Sequence, residues 1–89
     1  ALAYNDLGYL YFLKGLYDRS IVELKKAIKF SHKEDVAYVY AHYHLGLVLL
    51  KAERKEEARA AFSKARDQAP ESEFGLAARE HLRALGAEP

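Results

Sequence analysis

The chain has 89 residues, enough for one small domain with one thin core. Its 51% apolar and 30% charged residues exclude a disordered tail, and no apolar run reaches the ~18 residues that a membrane-spanning helix needs. Fourteen Lys and Arg stand against 13 Asp and Glu, net +1, so neither a nucleic acid nor a membrane is expected as partner.

Read from its start, the chain is helix throughout. Leu7, Leu10, Tyr11 and Lys14 follow 3–4 spacing until Gly15 breaks the run. Asp18 opens a second segment, with Ile21, Leu24, Ala27, Ile28 and Ser31 on one face. Ser31 and Glu34 fit a capping box, with Asp35 a second candidate cap for a third helix from about 35 to 52. A fourth helix is predicted from about 56 to 68, where Pro70 stops it. Ser72 is placed to cap a fifth from about 73 to 85, and Gly86 to end it. The expected fold is therefore all-α, five helices joined by short turns.

The chain also repeats itself. Leu7-Gly8 returns as Leu45-Gly46 and Lys26-Ala27 as Lys64-Ala65, each displaced by 38 residues. Between these landmarks, Ser20 and Ala58 are small, Leu24 and Phe62 are large, and Ala27 and Ala65 are small again. A glycine inside a helix costs roughly 1 kcal/mol relative to alanine, so Gly8 and Gly46 mark places where a partner helix comes too close for a side chain. Two copies of one helix pair are present.

Residues 1–32 resemble a tetratricopeptide repeat: Tyr4 in the place usually held by Trp, then Leu7, Gly8, Tyr11, Gly15, Tyr17, Asp18, Ser20, Leu24 and Ala27, with His32 at the usual proline. His42, Leu45, Gly46, Leu49, Ala58, Phe62, Ala65 and Pro70 follow in the same order. The family period is about 34, so four extra residues fall near Lys33 to Val36, most simply as another turn on the third helix. The resemblance implies a single domain over 1–89, a right-handed α-solenoid fragment. Repeat 1 runs about 1–34, repeat 2 about 35–72 with a longer first helix, and a capping helix about 73–86.

The family's first helices line a concave groove, and the resemblance maps that groove onto Leu2, Asn5, Tyr9, Phe12 and Leu13 from the first copy. Tyr40, Tyr43, His44, Leu47 and Leu50 are the counterparts in the second. All seven tyrosines lie in the first half of the chain, and Tyr40, Tyr43, Leu47 and Leu50 make one stripe. Tyrosine offers large contact area at little rotamer cost, which suits a peptide or helix acceptor. The implied function is protein–protein interaction, with a structural spacer or homo-oligomerisation unit as the alternative. A clamp for a terminal carboxylate needs Lys, Arg and Asn on these positions, and only Asn5 survives.

No cofactor, metal or catalytic set is expected. Cysteine is absent, so there is no disulfide, thiolate zinc site or thiol nucleophile. His42 and His44 are two apart, about 200° around a helix, so they do not form a ligand pair; His42 fills a core slot of the repeat and His44 sits near the concave edge. Glu53, Glu56 and Glu57 with Arg54 and Lys55 read as a solvated turn.

With no initial Met and no leader pattern, the chain reads as a piece of a longer protein, its compartment open with the cytoplasm favoured. Leu10, Leu13, Leu16, Ile21 and Val22 exceed what the first helix pair needs internally, and Arg59 and Arg66 replace Ile21 and Ile28 in the second copy. The amino end is expected to be open, suited to further repeats or self-association, and the carboxyl end closed.

Overall fold

The computed structural model describes residues 2–86. Five helices follow one another: α1 Leu2–Leu13, α2 Tyr17–Lys29, α3 Val36–Lys51, α4 Lys55–Gln68 and α5 Glu73–Ala84. Each packs on the next in antiparallel fashion. In addition α3 touches both α1 and α5, so the odd-numbered helices form one layer and α2 and α4 stand behind it.

The glycines explain the close pairing. A Cβ on Gly8 would stand 2.7 Å from Leu24 Cγ, and one on Gly46 would stand 2.6 Å from Phe62 Cε1. Leu24 and Phe62 are both fully buried. Each second helix therefore drives its large apolar residue into a socket that a glycine leaves open on the first. Ser20, also buried, donates from Oγ to the Gly8 carbonyl at 2.6 Å, where the second copy has only Ala58.

The turns inside the two pairs are built alike. Leu16 N–H bonds the Tyr11 carbonyl at 2.9 Å and Arg54 N–H bonds the Leu49 carbonyl at 2.8 Å. These Schellman-type closures require a left-handed residue in the turn. Gly15 fills that place at φ 78°, and Glu53 fills its equivalent at φ 63°.

The link between the pairs differs from the expected capping box. Ser31 Oγ donates back to the Ala27 carbonyl at 2.6 Å, and Asp35 Oδ2 accepts the His32 N–H at 3.1 Å. Both side chains thus satisfy the end of α2 and its loop, leaving α3 to begin at Val36 with no side-chain cap. At 16 residues α3 is the longest helix, against 12 for α1. At α5 the cap is present: Ser72 Oγ accepts the Gly75 N–H at 3.0 Å and donates to the Ala69 carbonyl at 2.8 Å.

One expectation about the ends is corrected. Ile21 is not surplus at an open end; it is buried in the core, and Ile28 packs against it. Their substitution by Arg59 and Arg66 in the second copy reflects a change of neighbour. Arg59 pairs with Glu56 and donates to the Leu85 carbonyl at 2.9 Å, fastening α4 to the end of α5. Leu10, Leu13, Leu16 and Val22 do remain exposed.

Candidate functional site

Of the residues expected to line a groove, α1 and α3 bring most together, in two depths. Asn5 is fully buried, and its Nδ2 donates to the Ala37 carbonyl at 3.2 Å, so it joins α1 to α3 instead of meeting solvent. Its amide is thus unavailable for a ligand carboxylate. Phe12 is half-buried beside Tyr17, their ring centres 6.1 Å apart, and Leu47 and Leu50 pack against the core. Leu2 begins α1, and its side chain lies outside the described residues.

Tyr9 and Leu13 keep the most accessible surface of the set, 37% and 63% exposed. The Tyr9 ring meets His44 edge-on at 5.0 Å. Beneath it, His44 is enclosed by Tyr40 at 4.2 Å and Tyr43 at 5.3 Å, so it sits under an aromatic wall and not at its edge. Burial pushes the His44 imidazole down to about 4. His42 lies in the core slot as expected, against Tyr38 at 4.6 Å, and burial, followed by the charge of Lys64, also pushes it down to about 4. Both nitrogens of His42 and Nδ1 of His44 are buried without a hydrogen-bond partner. Both rings are therefore neutral near pH 7, held as flat aromatic fillers. Among the described residues no three His, Cys, Asp or Glu side chains gather as a metal would require.

The wall also draws on residues that repeat spacing did not identify. Phe74 from α5 meets Tyr40 edge-on at 5.0 Å and Tyr43 at 5.6 Å. His81, two turns further along the same face of α5, stacks on Phe62 at 4.9 Å with planes 3° apart and lies 3.4 Å from the Tyr43 hydroxyl. Asp6 is close enough to contribute to raising the Tyr40 hydroxyl, after burial as the main cause. Burial likewise raises the Tyr43 hydroxyl. The position of Asp6 was legible, since it is the repeat equivalent of His44. The 3–4 spacing of Phe74, Ala78, His81, Leu82 and Leu85 puts Phe74 and His81 on the protein-facing side of α5, but which rings they meet was not legible, because α5 lacks the Leu-Gly landmark that would set its register.

Chemically, this face offers aromatic and aliphatic surface with tyrosine hydroxyls at its margin. No described helix is long and apolar enough to cross a membrane. Two family models, each described as tetratricopeptide repeat, match the chain, one over residues 1–32 and the other over residues 39–72. No curated protein and no solved structure shows significant similarity to it.

Proposed function

Since this chain belongs to the tetratricopeptide repeat family, whose members generally mediate protein–protein interactions, we propose that the open face of its α1–α3–α5 layer receives an extended or helical segment of a partner protein. The observation that carries this reading is the division of labour on that face. Tyr40, Tyr43 and Phe74 support one another from two helices, while Tyr9 and Leu13 stand above them with accessible apolar surface. A rigid aromatic floor with an exposed aromatic and aliphatic rim suits a ligand bound by apolar contact with hydrogen bonds from tyrosine. The buried amide of Asn5 disfavours a terminal carboxylate as the anchor.

The test separates binding from folding. Peptides selected from a random display library on the native chain are expected to lose affinity at least about tenfold for Tyr9→Ala/Leu13→Ala, the melting temperature staying within a few degrees. Peptides that bind this variant as well as the native chain would place the interaction elsewhere.

A further inference from the structure

A carboxylate without a partner stands beside the tyrosines of the open face. Asp6 lies on α1 one turn before Tyr9 and is exposed like it, so the two are neighbours on the helix surface. The bond from Asn5 to the Ala37 carbonyl sets α1 against α3 at this level, and Tyr40 follows Ala37 by one turn. Two tyrosines from different helices thus reach one ring: Tyr9 lies 5.0 Å from His44, and Tyr40 lies 4.2 Å from it. The neutral His44 imidazole forms the floor between them and opposes no positive charge. The field of Asp6 reaches across this notch, since it adds to the raising of the Tyr40 hydroxyl after burial.

Elsewhere the chain supplies cations to its own rings. Lys26 Nζ stands 5.8 Å from the Tyr4 ring centre, and Lys29 Nζ stands 5.6 Å from that of Phe30. Among the described residues no cation stands over Tyr9 or Tyr40, and none pairs with Asp6. Lys14 is eight residues beyond Asp6 and Lys51 eleven beyond Tyr40, about 12 Å and 16 Å along their helices, too far to serve. Two ring faces and a carboxylate therefore present negative potential to whatever enters between them.

We infer that this notch receives an arginine of the partner segment, its guanidinium stacked on Tyr9 and forked onto the Asp6 carboxylate. The inference rests on the groove reading above and adds the side chain that anchors the segment. Arginine fits better than lysine because its planar head stacks on an aromatic face while its edge binds a carboxylate in bidentate fashion. An exposed ion pair alone binds weakly, so stacking is what makes the contact an anchor. An acidic segment would meet Asp6 with like charge and is disfavoured.

Peptides selected from a random display library on the native chain test the anchor separately from the groove. Those that lose affinity for Tyr9→Ala/Leu13→Ala are expected to share an arginine. Replacing it with citrulline, uncharged and nearly the same shape, should weaken binding at least about tenfold. Asp6→Asn should weaken the arginine peptide by about as much, change the citrulline peptide less than about twofold, and flatten the salt dependence of binding. Asp6→Glu, which keeps the charge, should keep most of the affinity. Circular dichroism checks that each variant stays folded. Groove-dependent peptides that lack arginine, or whose arginine is indifferent to Asp6→Asn, overturn this inference and leave the groove reading standing. Peptides indifferent to Tyr9→Ala/Leu13→Ala, or a selection that yields none, overturn both.

Discussion

The Phe62 ring occupies the space into which a side chain on Gly46 would project, with Cε1 2.6 Å from the place of an ideal Cβ. Phe62 is fully buried and stacked on His81, so it has no free volume into which to retreat. Gly46→Ala should therefore destabilise the chain by about 1–3 kcal/mol, although alanine is the better helix former by roughly 1 kcal/mol. At this size each kcal/mol corresponds to a fall in melting temperature of roughly 4–8 °C. Phe62→Leu in the same chain should recover part of the loss, and a double variant no better than the sum of the singles would sink the socket explanation.

Glu53 offers the opposite opportunity. Its left-handed backbone, at φ 63°, strains a residue with a Cβ by roughly 1–2 kcal/mol, whereas glycine costs up to about 1 kcal/mol more in unfolded-chain entropy. Glu53→Gly should accordingly stabilise by about 0.5–1 kcal/mol, and Gly15→Ala in the equivalent turn should destabilise. Chemical denaturation reads both, and the same sign for the two changes would contradict this account of the turns.

This pair of turns shows how far sequence reading reaches. Gly15 announced its turn through its identity, and the repeat displacement carried the same turn to residue 53, where glutamate gives no local hint of a left-handed backbone. Landmarks set by local geometry are legible because only a few residue types satisfy them. Asn5 and His44 were less legible: both share a helix side with residues that stay open, and how deeply a position is covered depends on the neighbouring helix.

His42 and His44 make stability depend on pH in a defined direction. Each is lowered to about 4 in the folded chain and returns to about 6.5 on unfolding, so between these values the unfolded state binds more protons. Their contribution is full above about 6.5 and is lost as pH falls toward 4, on the order of 2 kcal/mol per imidazole by pH 5. Melting temperature should fall steadily from pH 7 to pH 5. In proton NMR the two rings should keep neutral shifts down to the onset of unfolding; a midpoint near 6.5 for either ring in the folded chain would refute its burial.

Docking of α5 depends on its first turn. A Cβ on Gly75 would run into the Ala69 carbonyl oxygen and lie 2.8 Å from its carbon, a backbone obstacle that no rotamer change relieves. Gly75→Ala should loosen α5 and uncover Tyr40 and Tyr43, raising amide exchange in α5 before the rest of the chain. Ser72→Ala, which removes the cap, should cost about 1 kcal/mol and act in the same helix. Uniform acceleration of exchange across all five helices would instead mean that α5 has no separate stability.

The sequence by itself determined the helix pairs, because a glycine and a large apolar residue at fixed spacing in each copy admit one close packing. It also determined which turns join them and where serine caps α5. Only the tertiary structure decided what each aromatic does. Helical periodicity assigns a residue to a side of its helix, but the crossing of α1, α3 and α5 divides that side into covered and open parts. Thus Asn5 and His44 are sealed and Tyr43 is braced by Phe62, Phe74 and His81, while Tyr9 and Leu13 remain at the surface.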